Sequence, residues 1–166
     1  MELDEAKQKF IQAWGTLGSN WGINRTMAQV HALLLISVES LCADDIMEKL
    51  QISRGNANMN IRALIDWGLV YKELKPGERR EYFVSENDMW KVVRQIITHR
   101  KKKELEPVLK ILEEVQHIEG ESKEKKEFLE VVQDIELFAQ RADKVLDKFA
   151  TSDSSWLLNI LMKVMS

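Results

Sequence analysis

The chain has 166 residues, which suffices for one domain or for a small domain with an elaborated extension. Its composition of 45% hydrophobic and 31% charged residues, with 7 Gly and 2 Pro, is typical of a soluble, mainly helical protein and excludes a disordered or collagen-like chain. The single Cys42 excludes an intramolecular disulfide, and the start MELDEAKQKF lacks the apolar region of a signal peptide. The longest apolar run, around Val30 to Ile36, is too short to span a bilayer, so we predict a cytoplasmic protein.

Charge is distributed unevenly along the chain, although the net charge is only −3. Residues 53–103 contain 12 Lys and Arg against 6 Asp and Glu, a net charge of +6, and the rest of the chain carries −9. A basic segment in an acidic protein favours a localised surface that binds a polyanion. Most charge runs merely solvate a helix, so this pattern needs support from the motifs below.

Two helices are predicted at the start of the chain. The first runs from Leu3 to about Leu17, because four apolar residues recur at spacings of three and four, and Gly18-Ser19-Asn20 is expected to end it. The second begins at Asn24 or Thr26 and continues to about Ser37, and its nearly all-apolar surface predicts burial. We interpret His31 in this helix as a core or rim histidine and not as a ligand.

A helix-turn-helix is predicted next. Asp44 and Asp45 favour the first turn of a helix of roughly two turns that ends near Leu50. After the short connection Gln51-Ile52, Ser53 is a good N-cap for a helix that runs to Trp67, with Gly68 as its stop signal. Two short helices joined this tightly must cross steeply, which is the geometry of a helix-turn-helix.

A β-hairpin is predicted directly after this motif. Residues 69–74 and 80–84 have the pattern of strands, and Pro76-Gly77 fits the two central positions of a type II turn. A hairpin in this position is a wing. Its tip carries three basic side chains, Lys75, Arg79 and Arg80, of the kind that contact DNA phosphates or the minor groove.

The remaining sequence predicts helices. Asn87 or Asp88 could cap a long helix with a break or kink near Leu105, since Pro107 either bends the helix or opens a new one. Residues 128–149 then show a heptad-like apolar stripe that is wide enough for a multi-helix bundle. The apolar segment from Trp156 to Val164 should dock on its own protein or on a second copy.

The stretch SRGNANMNIRAL holds a glycine and three asparagines, which are poor helix formers, in a predicted helix. With Ala57 at the centre of the buried face, a rotation of 100° per residue exposes Gly55, Met59, Arg62 and Asp66. A small polar surface of this kind suits close approach to the DNA major groove, where Asn can pair with adenine and Arg with guanine. We therefore predict a recognition helix. The alternative is that these residues only mark an irregular helix start.

Other functions have weaker support in the sequence. The three histidines lie far apart, no metal-ligand spacing or phosphate-binding glycine loop occurs, and we predict no enzyme, no metal site and no cofactor. The basic segment His99–Lys103 could lie on a membrane surface, but its flanks are typical of a solvated helix, and we predict no membrane partner. The stronger alternative is a winged-helix module that binds another protein instead of DNA.

The sequence from about Trp21 to Glu104 resembles the MarR-type winged-helix transcription regulators, and specifically their GbsR branch. The segments that carry the resemblance are ISRGNANMNIRALIDWGLV, the wing KPGERREYF and the run from MWKVV to RKKKEL. It implies a mainly α protein with a small β-hairpin wing: an N-terminal dimerisation helix over residues 1–20, a winged helix-turn-helix DNA-binding domain over 21–86, and a C-terminal helical dimerisation region over 87–166. It also implies a homodimeric regulator of transcription, expected to be a repressor, that reads a pseudo-palindrome in double-stranded DNA.

The resemblance also implies site residues and an effector. By position, Ser53 would cap the recognition helix and contact a phosphate, and the wing cations would contact the DNA backbone. The wing has Glu78-Arg79-Arg80 where relatives often have Asp-x-Arg, so the arginine that reaches the groove is left open. Some GbsR-type regulators sense choline or related osmolytes, whose quaternary ammonium group aromatic rings can hold, and Trp14 and Trp21 lie near the expected junction of the dimerisation and DNA-binding regions. The full set of predicted DNA contacts is Ser53, Arg54, Asn56, Asn58, Met59, Arg62, Lys75, Arg79 and Arg80.

Overall fold

A computed structural model describes residues 1–152, and the predicted apolar segment from Trp156 to Val164 lies outside them. The chain divides into two compact units, residues 1–92 and the residues from 93 onward. None of the described helices is both long and apolar enough to cross a membrane. The described elements are α1 (Leu3–Asn20), α2 (Arg25–Leu35), β1 (Leu41–Cys42), α3 (Ala43–Leu50), α4 (Arg54–Asp66), β2 (Val70–Leu74), β3 (Glu81–Ser85), α5 (Met89–Arg100), a π-helical segment (Lys101–Leu105), α6 (Glu106–Glu114) and α7 (Lys123–Thr151).

Helix α1 packs closely against α2 because two of its residues lack side chains. The prediction that Gly18 helps to end this helix was wrong, since α1 continues to Asn20 and Gly18 is buried. A Cβ atom on Gly18 would lie 2.6 Å from the Cβ of Ala28, and one on Gly15 would lie 2.7 Å from the Cγ of Gln29. The glycines therefore serve close approach of the two helices, not chain reversal.

Replacing Gly18 by alanine should destabilise the fold by about 1–2 kcal/mol, because the overpacked methyl group outweighs the gain in helix propensity. Gly55 in α4 is the matched control, since a Cβ there meets nothing within 4 Å. Gly55→Ala should leave the stability unchanged or raise it by up to about 1 kcal/mol. Urea titration followed by circular dichroism measures both free energies of unfolding, and equal effects of the two changes would contradict the packing argument.

Helix α2 forms the centre of the first unit, as its nearly all-apolar surface predicted. Asn24 is its N-cap, and the Asn24 side-chain oxygen accepts a hydrogen bond of 3.1 Å from the Met27 backbone N–H. His31 is buried among the apolar residues of α2, and its Nε2 has no hydrogen-bond partner in the described part of the chain. Burial lowers the pKa of His31 to about 4, because desolvation disfavours the charged imidazolium.

Stability should therefore fall as the pH drops from about 6.5, the ordinary pKa of histidine, toward 4. In that pH window the unfolded chain takes up a proton that the folded chain excludes. The contribution of His31 to the slope of the unfolding free energy against pH therefore approaches about 1.4 kcal/mol per pH unit. Urea unfolding between pH 7 and 4.5 measures this slope, and His31→Met should flatten it. An equally steep slope in His31→Met would show that other groups cause the effect.

The three strands form one antiparallel sheet in the order β1-β3-β2. The hairpin of β2 and β3 was predicted, and its register pairs Val70 with Ser85 and Leu74 with Glu81. The two-residue strand β1 was missed, because Leu41 and Cys42 are too few to show an alternating pattern. Cys42, which pairs with Tyr82, also precedes α3 directly, so β1 connects strand β3 of the wing to the helix-turn-helix.

Near Leu105, where a break or kink was predicted, α5 continues through the π-helical segment into α6. The Glu106 backbone N–H donates to the Lys101 carbonyl, a wider turn than that of an α-helix, and Pro107 lies in the first turn of α6. Lys101 lies close to two carboxylates of α7, at 3.2 Å from Asp143 and 2.6 Å from Asp147. Lys101 is thus engaged within the second unit.

Candidate nucleic-acid interface

Local backbone geometry builds the helix-turn-helix as predicted. Gln51 has a φ of 54°, a left-handed conformation that turns the chain sharply between α3 and α4. Ser53 is the N-cap of α4, and its side-chain oxygen accepts from the Asn56 backbone N–H at 3.3 Å. At the other end Gly68 has a φ of 71°, and the Leu69 backbone N–H donates to the Leu64 carbonyl at 2.9 Å, which closes the helix.

The two faces of α4 agree with the helical rotation argument. Ala57, Ile61 and Leu64 are buried, with relative exposures of 0%, 2% and 1%. The opposite side is open to solvent, and its largest apolar side chain, Met59, is 58% exposed. The exposed face consists of Arg54, Gly55, Asn58, Met59, Arg62 and Asp66.

One predicted contact, Asn56, has a more constrained setting than the sequence suggested. Asn56 is half-buried and not fully exposed, and its side-chain carbonyl accepts a hydrogen bond of 2.7 Å from the side-chain amide of Asn60. The same Asn60 amide nitrogen also donates to the Asn56 backbone carbonyl at 2.8 Å, and Asn60 is 2% exposed. Asn60 was missed by sequence reasoning, although a spacing of four residues in a helix places the two asparagines side by side.

Two of the predicted cations converge on one carboxylate. The Nη2 atom of Arg54, the first residue of α4, lies 2.8 Å from Oδ1 of Asp44. The Nη1 atom of Arg80, at the end of the wing loop, lies 4.0 Å from the other oxygen, Oδ2. Asp44 stands in the first turn of α3, so a single side chain links both helices of the motif and the wing.

The wing tip has the predicted turn. Gly77 has a φ of 83°, and the Glu78 backbone N–H donates to the Lys75 carbonyl at 3.1 Å, as in a type II turn. Tyr82 orders the tip from one side: the Lys75 ammonium lies 4.1 Å from its ring centroid, and its hydroxyl donates to Glu78. This hydrogen bond to the Glu78 carboxylate raises the pKa of Tyr82 to about 12. Arg79 is exposed.

Arg62 and Arg79 differ from Arg54 and Arg80 in one respect. Neither has an acidic side chain of residues 1–152 within 4.0 Å, so neither guanidinium is neutralised by the described protein. Arg62 projects from the middle of the exposed face of α4, and Arg79 projects from the wing tip. These two cations are therefore positioned to meet an anion from outside.

The root of the wing is joined to the start of α5 by a second charged cluster. Lys91 lies 2.5 Å from the Glu86 carboxylate, to which the Tyr71 hydroxyl also donates at 2.9 Å. Lys91, the Asp88 backbone N–H and Tyr71 together lower the pKa of Glu86 to about 2. Asp88 is the cap of α5, since its side chain accepts from the backbone N–H groups of Trp90 and Lys91.

The sequence of this region agrees with that of a known family of regulators. Residues 21–81 match the MarR family. The MarR-matched segment contains α2, the helix-turn-helix, β2 and the wing turn, which is the region whose geometry is described above. No curated protein sequence matches the chain at a significant level.

One solved structure has a similar fold. A crystal structure of a transcriptional regulator has a TM-score of 0.66 and 16% sequence identity, over 87% of this chain and 95% of that chain. At this identity the likeness shows the fold alone. A mutant of MepR from S. aureus bound to an oligodeoxyribonucleotide also matches, with a TM-score of 0.41 and 17% identity over 82% of this chain and 91% of that chain.

Trp14, one of the two tryptophans near the expected junction of the dimerisation and DNA-binding regions, has two aromatic neighbours. The Trp14 ring centroid lies 5.6 Å from that of Phe10 in the same helix and 6.2 Å from that of His31. Within residues 1–152 no group of three His, Cys, Asp or Glu side chains is arranged to hold a metal ion.

Proposed function

We propose that this protein is a sequence-specific DNA-binding regulator of transcription, of the GbsR branch of MarR-type proteins, that acts as a homodimeric repressor in the cytoplasm. The observation that carries the proposal is the exposed face of α4, which is small and polar and has at its centre Arg62, a cation without an acidic partner among residues 1–152. A face of this size fits the major groove, and the match of residues 21–81 to the MarR family supports this use. The wing, with Arg79, would then reach the neighbouring backbone or minor groove.

A homodimer is supported by an apolar surface that the described chain leaves uncovered. On α7, Val132 and Ala139 are buried, at 6% and 7% exposure. The adjacent stripe of the same helix is open, with Val131, Ile135, Phe138 and Val145 between 48% and 74% exposed. A contiguous apolar surface of this kind marks a protein interface, and a second copy of α7 is its natural partner. We call these four residues the α7 stripe.

In such a dimer each winged helix would read one half-site. A two-fold axis relates the two recognition helices, so the operator would be a pseudo-palindrome with half-sites about 34–36 Å apart, one turn of DNA. Binding at one operator would block transcription from it. The alternative, a winged helix that binds a protein, would leave Arg62 and Arg79, which have no acidic partner in the described part of the chain, without a role.

A small-molecule effector is part of the same proposal. A choline-like quaternary amine would bind an aromatic cage and shift the protein between states with different DNA affinities. Titration of choline chloride against the protein–DNA complex, with sodium chloride at equal ionic strength as control, measures this shift. Identical curves with the two salts would remove choline from the proposal and leave DNA binding untouched.

The decisive experiment is a titration of the purified protein against its own upstream DNA and against a random duplex of equal length, at several salt concentrations. We expect tighter binding to the upstream DNA, two protein chains per operator, and a log-linear loss of affinity with salt. Equal and weak binding to both duplexes, or no binding at all, would favour the protein-binding alternative.

A further inference from the structure

The Asp44 carboxylate lies between two arginines, one from the start of α4 and one from the end of the wing loop. It accepts a hydrogen bond from the Arg54 guanidinium at 2.8 Å, and the Arg80 guanidinium lies 4.0 Å from its second oxygen. Carboxylates and phosphates present the same pair of acceptor oxygens to the planar fork of arginine. Both arginines belong to elements that are expected to face DNA, the start of α4 and the end of the wing loop.

All three side chains are accessible to solvent, with relative exposures of 49% for Asp44, 70% for Arg54 and 65% for Arg80. Exposed ion pairs of this kind contribute little to stability, so a stronger anion can displace the carboxylate at small cost. The pairs nevertheless neutralise the two cations while DNA is absent. Arg62 and Arg79 have no such internal partner among the described residues.

Resting on the proposed function, we propose that Asp44 is an internal competitor for the DNA backbone: it occupies the place of a phosphate between Arg54 and Arg80 and thereby weakens binding to any duplex. A phosphate that enters this place must displace the carboxylate and then remains close to its negative charge. Both effects oppose binding whatever the base sequence. Asp44 thus limits the affinity that comes from backbone contacts alone, while the base contacts of α4 are unaffected.

The test is Asp44→Asn in the full chain, with binding to a random duplex measured at several salt concentrations. Removing the Asp44 charge should tighten binding by about 3- to 10-fold at low salt, since it breaks two exposed ion pairs and leaves both arginines available to DNA phosphates. The dependence of affinity on salt should become steeper by about one phosphate contact. Circular dichroism should confirm an unchanged fold, because Asp44 is exposed.

Glu48→Gln is the matched control, since it removes one negative charge from an exposed position of the same helix, with no arginine in ion-pair contact. Its effect should be clearly smaller than that of Asp44→Asn. A second control places Asp44→Asn in an Arg54→Ala, Arg80→Ala background, where the gain should vanish because no cation is left to release.

Three results would overturn the proposal. Asp44→Asn and Glu48→Gln could raise the affinity for the random duplex equally, which would mean a general charge effect. The gain in affinity from Asp44→Asn could also persist in the background that lacks both arginines. Asp44→Asn could also weaken binding, which would mean that Asp44 only orients the arginines. If the wild-type protein and every variant fail to bind DNA, the proposed function itself fails, and that outcome is distinct because it does not depend on Asp44.

Discussion

Replacing Phe138 by glutamate is expected to convert the protein to a monomer and to weaken its binding to a duplex with two half-sites by about 100-fold or more. Phe138 is 74% exposed in the α7 stripe, and a carboxylate there would be buried without a partner in a dimer interface. A monomer binds only one half-site, so it loses the high effective concentration that links the two binding events.

Sedimentation equilibrium gives the mass of the particle, and a mobility shift with one or two half-sites gives the affinities. Gln133→Glu is the matched control, since it adds the same charge to the polar side of α7 and should leave mass and affinity unchanged. Affinity for a single half-site should be nearly the same in all three proteins. A Phe138→Glu variant that remains dimeric would contradict the role of the α7 stripe.

Arg62→Ala is expected to weaken binding to the operator by about 1–3 kcal/mol, roughly 5- to 150-fold, and to relax the base preference at one position. The reason is position: Arg62 projects from the exposed face of α4 and has no ion pair with any described residue, so all of its N–H donors can bind DNA. A bidentate contact to guanine forms only where that base is present. Its loss should therefore lower the affinity for the operator more than the affinity for random DNA.

Arg79→Ala supplies the comparison, since a wing arginine that contacts phosphates should matter equally for every sequence. Its loss should weaken operator and random duplex by similar factors and make the salt dependence shallower by about one contact. The measurement is a binding curve for each variant on the operator, on a random duplex and on operators with single base changes. Equal losses of Arg62→Ala on operator and random DNA would reject its role in base reading.

Much of the DNA-binding lobe could be predicted because local chemistry specifies it. The Ser53 cap, the Gly68 stop and the Pro76-Gly77 turn each depend on the conformational preferences of one or two residues, and each appears where expected. The separation of Ala57 and Leu64 from Met59 on α4 follows from helical rotation alone. The roles of the predicted DNA contacts, and the domain boundaries at 20/21 and 86/87, stay predictions.

The features that sequence reasoning missed depend on residues that are distant in the chain or on close packing. Strand β1 exists because β3, forty residues later, offers it a partner. Gly18 predicts a helix end, but in the structure the Ala28 side chain packs against the Gly18 backbone, where a side chain on residue 18 would clash. The π-helical segment before Pro107 also gave no periodic signal, because five residues are too few to show one.

The sequence by itself determined the order and type of the longer elements and the face of α4 that is exposed, since these follow from backbone preferences and periodicity. Only the tertiary structure decided which charges remain available. In the sequence alone, nothing distinguishes the four arginines of α4 and the wing. Folding brings Asp44 to Arg54 and Arg80, and it leaves Arg62 and Arg79 without a carboxylate partner among the described residues. Ion pairs depend on distances of a few ångströms between elements, and no local pattern encodes such distances.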